Sequence, residues 1–441
     1  KTIMKKWHER TYNTSFTNFL CQFPVFYLSI PQSPQPLKTP FQSLLDIKMN
    51  LKEEALRLHK ENKGKLATNS KVSVNTKEDL SLVYTPGVAE VCREIAANPE
   101  SVYDYTFKSN SVAVVTDGSA VLGLGNIGAE ASLPVMEGKC VLFKELADID
   151  AFPICLKTQN DREIINIVKN IAPAFGGINL EDIAAPRCFK IEEELLNIGI
   201  PLMHDDQHGT AIVILAALLN SAKAVNKKIE DLKIVISGAG AAGTAVTKLL
   251  LCLGIDKNIC TSVREIVLCD SKGIIYDGRA DLNDFKIQLA KITNRTRRKG
   301  TLKDALEGAD AFIGVSTANL LNADDLRKMN KDAIVFAMAN PVPEIMFDEA
   351  IKVAAVVGTG RSDFPNQINN SLAFPGVFRG ALDAKATMIN NEMKIAAAHA
   401  LANCVNPTKD DILPYTLDKQ VVPKVAEAVK KAAVESGVVR K

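Results

Sequence analysis

Short apolar runs alternate with amphipathic segments along most of the chain, an alternation typical of an α/β protein. In the first half we predict strands at 111–119 and 176–183, a helix at 161–175, and two strands around a polar break within 138–157. In the second half, apolar runs that end in small or polar residues lie at 232–237, 265–271, 309–316, 333–341 and 354–367. This pattern predicts a doubly wound parallel sheet, whose ligands bind at the carboxyl ends of the strands.

The pattern divides the chain into three parts. We assign residues 49–203 to an N-terminal α/β domain and residues 204–441 to a Rossmann-type domain that ends in closing helices. Residues 1–48 differ from both, because they hold the only tryptophan, an aromatic stretch and a proline-rich stretch. We expect them to be a disordered leader or a non-native extension. A targeting leader would place the protein in an organelle matrix; otherwise we expect the cytoplasm.

Composition and charge exclude several classes of function. The chain is 47% hydrophobic and 24% charged with a net charge of +2, and it has no basic block dense enough to bind nucleic acid. Its longest aliphatic run, 210–219, has about half of the ~20 residues that a membrane span needs. The nine cysteines are scattered and never spaced as CxxC, which favours a reducing compartment over a disulfide framework or a thiolate zinc site. His204 and His208 lack a third nitrogen or sulfur ligand, so we interpret them as polar neighbours.

A glycine-rich turn follows the first apolar run of the second half. It comprises Gly238, Gly240 and Gly243 with Ala241 and Ala242 between them, and a helical segment follows. A GxGxxG motif alone is a weak signal, but a strand before it and a helix after it favour dinucleotide binding over a turn without a ligand. The helix amino terminus then offers free N–H groups to a pyrophosphate.

The next strand ends at Asp270, which can accept hydrogen bonds from the adenosine ribose and thereby favour NAD. Ser271, Lys272 and Arg279 follow closely and can instead hold the 2′-phosphate of NADP. The sequence leaves both coenzymes open.

Two acidic pairs lie next to apolar segments, where charge is costly to desolvate. Glu181 and Asp182 form the first pair, and Asp205 and Asp206 form the second. Carboxylates with water and substrate oxygens suit Mg²⁺ or Mn²⁺, so Glu181, Asp182 and Asp206 are candidate ligands.

Helix capping is the competing interpretation of both pairs. Asn179 could cap a following helix with Asp182 at its third position, and Asp205 or Asp206 could cap a helix that begins near Gly209. Two such pairs in a chain with a dinucleotide turn favour the metal.

Eight blocks, in order across residues 50–430, resemble those of the malic enzymes, specifically their short bacterial and protist form. The blocks are SLVYTPGVAEVC, TDGSAVLGLGNIG, EGKCVLFKELADIDAFPICL, INLEDIAAP, HDDQHGTAIV, SGAGAAG, AMANPVPE and RSDFPNQINNSLAFPGVFRGALD. The resemblance implies a malic domain followed by an NAD(P)-binding Rossmann domain. It also implies oxidative decarboxylation of (S)-malate to pyruvate and CO₂, with reduction of NAD or NADP and a divalent cation, Mg²⁺ or Mn²⁺.

The resemblance also implies catalytic roles. Lys139 matches the general base, Tyr84 the general acid, and Asp205 a carboxylate that orients Lys139; Glu181, Asp182 and Asp206 match the metal ligands. We expect burial and the nearby cation to lower the pKa of Lys139. Lys144, an odd number of residues away on a predicted strand, should face the other way.

Asparagine side chains, and a cation for the C1 carboxylate that the sequence does not identify, complete the implied site. Asn340 and Asn370 match residues that hold malate and nicotinamide, with Asn369 as the runner-up to Asn370. The larger animal-type enzymes carry a substrate-binding arginine where this chain has Ala120, so either Arg187 or the metal is left to bind the malate C1 carboxylate.

Two other functions compete with this interpretation. One is another NAD(P)-linked, metal-dependent dehydrogenase that decarboxylates 2-hydroxy acids. The other is a non-catalytic nucleotide sensor, which predicts loss of the lysine, tyrosine or carboxylates, although all are present. We also expect a homodimer that uses apolar residues of the 50–100 region.

Overall fold

A computed structural model describes residues 40–121 and 123–440, with side chains from residue 51 onward. Residues 1–61 and 62–441 form separate units. The described part of the first unit is helix α1, Pro40–Asn62, which crosses the predicted boundary at 48/49. The rest of the predicted leader lies outside the described residues.

The second unit contains two β-sheets. Its strands, in chain order, are β1 (Ser111–Thr116), β2 (Asp150–Cys155), β3 (Gly177–Leu180), β4 (Leu202–His204), β5 (Lys233–Ser237), β6 (Glu265–Asp270), β7 (Gly273–Ile274), β8 (Ala311–Gly314), β9 (Ile334–Ala337) and β10 (Val356–Thr359).

Helices cover and connect these strands. After α1 they are α2 (Lys77–Val83), α3 (Val88–Ala97), α4 (Val102–Tyr105), α5 (Gly128–Ala147), α6 (Asp161–Ile171), α7 (Arg187–Leu195), α8 (Asp205–Ala224), α9 (Ala241–Leu250), α10 (Asp284–Ile292), α11 (Leu302–Ala305), α12 (Ala323–Leu326), α13 (Phe347–Ala350), α14 (Phe374–Asp383), α15 (Asn391–Ala402) and α16 (Val421–Glu435).

The first sheet is parallel, in the order β2-β1-β3-β4. Its central strand β1 is buried along its whole length, as expected for a continuous apolar run covered on both faces. Strands β3 and β4 are neighbours, so the residues that follow Leu180 and His204 meet at one edge.

Helix α5 corrects one predicted strand. The segment 138–147, predicted as a strand, is the second half of this helix, whereas β2 lies where the second strand was predicted. The buried positions Ser132, Met136, Cys140, Phe143 and Ala147 recur every three or four residues, which is the helical period. The β-branched and aromatic residues of that segment gave a local strand signal that burial of one helical face overrides.

The second sheet has the order β10-β9-β8-β5-β6-β7 and is parallel except for β7 at its edge. The chain passes from β5 to β6 on one side and then returns to β8 on the other side of β5. The doubly wound sheet predicted from the sequence is therefore confirmed. Its topological switch point lies between β5 and β8, where such sheets bind their ligands.

Helices α14 and α16 near the carboxyl end of the chain pack back toward the first sheet. Phe143 of α5 lies with its ring centroid 4.7 Å from that of Phe374 and 5.4 Å from that of Phe378, both on α14. Buried residues of α5, of the second sheet and of these closing helices form one continuous core. This shared core shows that the closing helices pack against the layers of both sheets. The domain boundary at 203/204 stays a prediction.

One disulfide joins Cys252 and Cys260, eight residues apart in the loop after α9. This single local pair links no two distant elements, so it is not the disulfide framework against which the cysteine spacing argues. The other cysteines that the structure describes from residue 51 onward are free thiols. Among the described helices, none is both long and apolar enough to cross a membrane.

Candidate active site

The two acidic pairs meet where β3 and β4 end. Glu181 and Asp182 follow β3 directly, and Asp205 and Asp206 begin α8 directly after β4. Carboxylate oxygens of Glu181, Asp182 and Asp206 all lie within 4.8 Å of one another. The Asp182 backbone N–H also donates to Asp206 Oδ2 over 2.8 Å, so a direct hydrogen bond joins the two pairs.

Helix capping explains neither pair. Asn179 lies inside β3 and its side-chain amide donates to Glu181 Oε2 over 2.8 Å, while the next helix begins only at Arg187. Helix α8 begins at Asp205, four residues earlier than predicted, and His204 at its N-cap makes no side-chain capping bond. The capping alternatives are therefore wrong, although carboxylates in a first helical turn do benefit from the helix dipole.

Asp182 has a left-handed backbone, with φ of +53°. Such a conformation is uncommon outside glycine, asparagine and aspartate and often occurs at functional sites. The loop after β1 supports it: the Ala120 N–H donates to the Asp182 carbonyl over 2.9 Å, and the Ala184 N–H donates to Ser119 Oγ over 2.9 Å.

Lys139 places a single ammonium group against this cluster. Its Nζ lies 2.5 Å from Asp205 Oδ2, 3.0 Å from Glu181 Oε1 and 4.5 Å from the ring centroid of Phe374. Lys144, five residues on, lies roughly 140° around the same helix and pairs with the exposed Asp148, which follows α5, and with Asp150 at the start of β2. The structure thus brings Lys139 into the candidate site and leaves Lys144 outside, on a helix rather than a strand.

The protonation states of the cluster are strongly linked. Burial raises the pKa of Asp205 to about 7, and burial also raises the pKa of Glu181 and Asp206 because Lys139 offsets desolvation only in part. Burial alone would lower the pKa of Lys139, but the charges of Asp205 and Glu181 reverse this and raise it. Without a cation, the carboxylates therefore stabilise the ammonium form of Lys139, and the expected lowering of its pKa by a nearby cation stays a prediction.

Gly209 shows how closely Asp205 is held. A Cβ atom at this position would lie 1.8 Å from Asp205 Oδ1 and 3.3 Å from Asn370 Cβ, so only glycine fits one turn after Asp205. Asn370, predicted to bind substrate, therefore lies beside the start of α8. Asn369 uses its side-chain oxygen to accept from the Ser371 N–H over 2.9 Å, which is the role of a local cap.

Asn340 is also at this edge. A Cβ at Gly123, in the glycine-rich loop after β1, would lie 2.5 Å from the Asn340 carbonyl oxygen. Asn340 is exposed and follows β9 of the second sheet. The contacts of Gly123 with Asn340 and of Gly209 with Asn370 thus bring the carboxyl edges of the two sheets together.

Two predicted residues are not brought to the carboxylates. Tyr84 ends α2 and its residue surface is 68% exposed. Arg187 is held by two other acids: its guanidinium pairs with Asp117 and, over 2.9 Å, with Asp161.

His204 and His208 are not part of the metal-ligand group found among the described residues. His208 Nε2 instead lies 3.0 Å from Glu192 Oε2, and His204 is fully buried.

The glycine turn opens on a cavity of about 550 Å³ at the switch point of the second sheet. Gly238 has a φ of +114°, and a Cβ at Gly243 would lie 1.8 Å from the Gly238 carbonyl oxygen, so the turn and the helix packing both require glycine. A Cβ at Gly240 would meet nothing within 4 Å, which leaves the space that a pyrophosphate needs. Ala241 and Ala242 begin α9, whose free N–H groups face this turn.

Asp270 closes the other side of this cavity, at the end of β6. Arg279 Nη2 lies 2.5 Å from Asp270 Oδ2, and Lys286 Nζ lies 2.6 Å from it. Although burial disfavours the carboxylate, these hydrogen bonds lower the pKa of Asp270 to about 2.

Three supporting residues were missed at the level of sequence. Asn179 holds Glu181, Phe374 lies beneath the Lys139 ammonium, and Glu344 accepts from the Ser316 N–H over 2.9 Å and the Ala339 N–H over 3.0 Å. Glu344 is fully buried and joins the loops after β8 and β9. For Glu344, the sequence offered only its position in the NPVPE segment. Its partners are backbone N–H groups of other loops, which no local pattern identifies.

Comparison with known proteins gives the family. The model of the malic enzyme N-terminal domain matches residues 61–166, and that of the malic enzyme NAD-binding domain matches residues 207–434. A bifunctional malic/malolactic enzyme of Bacillus subtilis is 58% identical over 89% of this chain and 95% of its own length. An NAD-dependent malic enzyme of Geobacillus stearothermophilus is 55% identical over 86% of this chain and 78% of its own length.

Solved structures agree with this assignment. An NAD-dependent malic enzyme of Thermotoga maritima superposes with a TM-score of 0.82 at 49% identity, over 85% of this chain and 98% of that one. The malic enzyme of Entamoeba histolytica superposes with a TM-score of 0.84 at 38% identity, over 92% and 86% of the two chains. The chain therefore belongs to the malic enzymes and catalyses the NAD(P)-dependent oxidative decarboxylation of malate.

Proposed function

We propose that Glu181, Asp182 and Asp206 bind a divalent cation, Mg²⁺ or Mn²⁺, and that Lys139 is the base beside it. The observation that carries this proposal is the convergence of three carboxylates within 4.8 Å of one another at the ends of two adjacent strands. The donor set fits the group, since hard carboxylate oxygens are the ligands of these ions. The Asp206 side chain keeps 33% of its surface exposed, which leaves a route for the ion to enter.

The charge balance supports the same proposal. Four buried or half-buried carboxylates face one ammonium group, and burial, together with the charges of the neighbouring carboxylates, raises the pKa of Glu181 and Asp206. When bound, the cation would polarise the C2 oxygen of malate and the ketone that follows oxidation. Charge neutralisation at Glu181 would also weaken the stabilisation of the Lys139 ammonium form and bring the pKa of Lys139 toward the working range.

The remaining steps belong to the chain's own groups. Lys139 accepts the proton of the malate C2 hydroxyl as hydride leaves for the nicotinamide, and Asp205, 2.5 Å away, holds the lysine in place. Asn340 and Asn370 bind malate and nicotinamide through their amides, with Asn369 reserved for capping. With Arg187 paired to two acids, the metal site is the better candidate for the malate C1 carboxylate.

Tyr84 is proposed as the acid that protonates the carbon left by CO₂. A tyrosine phenol can donate its hydroxyl proton as a general acid. Its exposed position on the surface of the chain requires a conformational change or a second subunit to bring it to malate.

Replacing Lys139 by Ala or Tyr84 by Phe is expected to lower kcat by about 10²- to 10⁴-fold, the usual contribution of a general base or acid. Binding of NAD(P) should change little, because neither side chain lines the dinucleotide cavity. Steady-state assays with malate and Mn²⁺ give kcat, and NADH fluorescence titration gives coenzyme affinity. Lys144→Ala is the matched control, and a Lys139→Ala enzyme with a near-normal kcat would remove the lysine from the mechanism.

Asp206→Asn is expected to abolish stabilisation by Mn²⁺ as well as activity. The wild-type melting temperature should rise with Mn²⁺ in the absence of malate and coenzyme, because an ion that binds only the folded state stabilises it. Differential scanning fluorimetry with and without Mn²⁺ measures the shift, and exposed Asp410→Asn is the control. An Asp206→Asn protein that keeps the full shift would place the ion elsewhere.

NAD is proposed as the preferred coenzyme. The Asp270 carboxylate stays ionised at neutral pH and lies where the adenosine ribose is bound in dinucleotide folds, so it would accept from the ribose hydroxyls and repel a 2′-phosphate. Arg279 and Lys286 both form ion pairs with Asp270, so neither cation is left to bind a 2′-phosphate.

Asp270→Asn is expected to shift the ratio of kcat/KM for NAD over NADP toward NADP by about 10- to 100-fold, roughly 1.4–2.7 kcal/mol. The substitution removes the negative charge and releases Arg279 and Lys286 for a phosphate. Parallel assays with both coenzymes measure the ratio. Asp281→Asn, which also removes a partner of Arg279, is the control; an unchanged ratio in Asp270→Asn would contradict the proposed role.

A homodimer is proposed on the basis of exposed apolar surface between residues 62 and 110. Leu80, Leu82, Val83 and Tyr84 are each at least 44% exposed, and neither α2 nor α3 contains a buried residue. Contiguous apolar surface of this kind marks an interaction site. A second copy that covers this face would also shield Tyr84.

Residence in the cytoplasm stays a prediction.

Leu82→Glu should therefore lower the mass measured by light scattering after gel filtration from that of a dimer toward that of a monomer. The wild-type chain has a mass of 47.8 kDa, so the two states are well resolved. Val434→Glu, at a site of 57% exposure on α16, is the control. A monomeric wild-type protein, or a Leu82→Glu dimer, would contradict this interface.

A further inference from the structure

A second cavity of about 550 Å³ is lined by neither the four site carboxylates nor the glycines of the turn, although Gln207 and Thr244 in its wall directly follow Asp206 and Gly243. Its walls come from α7 of the first sheet's layer, from α9 and α10 of the dinucleotide-binding sheet's layer, and from α15. It shares no lining residue with the dinucleotide cavity. A cavity of this volume is in the range that binds small organic molecules.

Lys394 on α15 lines this cavity and is only 7% exposed. Among the side chains that the structure describes, none forms a hydrogen bond or an ion pair within 4.0 Å with it. Burial lowers the pKa of Lys394, as expected for an ammonium group without a close counterion. A buried charge is normally paired, because desolvation is otherwise costly.

Glu192 is the buried acid whose charge acts most strongly on Lys394, and other donors already satisfy it. Glu192 accepts from the His204 N–H over 2.9 Å, from Gln207 Nε2 over 3.0 Å, and lies 3.0 Å from His208 Nε2. Its charge acts on Lys394 only from beyond ion-pair distance. Lys394 therefore has attraction from one side of the cavity but no direct partner.

The cavity lining also includes the exposed carboxylate of Glu193 and the side-chain amides of Gln207, Gln288 and Asn391, but Lys394 and Thr244, its two buried polar side chains without a hydrogen-bond partner, can both donate. Thr244 Oγ1 on α9 is buried and has no hydrogen-bond partner among the described residues. Lys190 and Lys248 stand at the rim, and neither is in an ion pair within the described part of the chain. Two unpartnered, buried polar groups and two further lysines favour an anion.

An aromatic wall completes the cavity. Phe189 of α7 and Phe285 of α10 stack in parallel, with ring centroids 4.0 Å apart and an interplanar angle of 4°, and Lys248 Nζ lies 5.4 Å from the Phe285 centroid. The volume exceeds what an inorganic ion fills, and this wall offers apolar contact to a planar body. We propose that this cavity binds a small organic anion, with its phosphate or carboxylate group on Lys394 and Thr244 and its apolar part against Phe189 and Phe285.

Isothermal titration calorimetry on enzyme saturated with Mg²⁺ and NAD⁺ tests this proposal, because the dinucleotide cavity and the proposed metal site are then occupied. The probes are phenyl phosphate and benzoate, which distinguish the two anionic groups, and inorganic phosphate, which lacks the apolar part. We expect one of the two aromatic anions to bind at least tenfold more tightly than inorganic phosphate. Lys394→Met should weaken that binding at least tenfold, and Lys430→Met, an exposed lysine on α16, less than twofold.

Thr244→Val supplies a second variant that keeps the side-chain shape, and we expect it to weaken the same probe several-fold. Without a probe, the melting temperature of Lys394→Met should equal or exceed that of the wild type, because the unpaired buried charge is removed. Equal affinity of the probe for the wild type and Lys394→Met would overturn the proposal. Absence of binding by all three probes to the wild type would overturn it as well.

Discussion

The structure depends on one buried cluster of charged side chains, in which Lys139 lies between Asp205 and Glu181, with Asp182 and Asp206 beside them. Removing these groups from water is unfavourable unless each is paired or bound to a cation. The hydrogen bond from the Asp182 N–H to Asp206 ties the end of β3 to the start of α8, so the cluster also fixes how the first sheet leads into the second part of the chain.

Much of the surrounding architecture follows from keeping this cluster in place. Gly209 has no side chain because Asp205 occupies that space, and Phe374 of a late helix lies under the lysine that an early helix supplies. The closing helices must therefore return to the first sheet before the site is complete. The left-handed backbone of Asp182 is held by a loop whose residues come from the end of β1.

The two cavities would stabilise an anion in different ways, one through a helix amino terminus and the other through a buried lysine. At the glycine turn, open space at Gly240 and free N–H groups of α9 suit a pyrophosphate, and the ionised Asp270 sets the preference for the ribose. In the second cavity, an ammonium group without a close counterion marks the place where an anion would be stabilised. Because α9 lines the second cavity and begins directly after Gly240 of the dinucleotide cavity, an occupant of the second cavity contacts the helix that begins at the dinucleotide turn.

The sequence by itself determined the class of fold, the dinucleotide turn and the identity of the acidic groups, because these are written in local patterns: apolar runs, glycine spacing and ordered blocks. It misjudged residues 138–147, where strand-forming side chains lie on a helix, and it placed the start of α8 four residues late. Only the tertiary structure decided that Arg187 is already paired and that Asn369 caps a turn while Asn370 lies beside α8. It also revealed Asn179, Glu344 and the unpartnered Lys394. These outcomes depend on contacts between residues far apart in the chain, whose direction and distance no local pattern encodes.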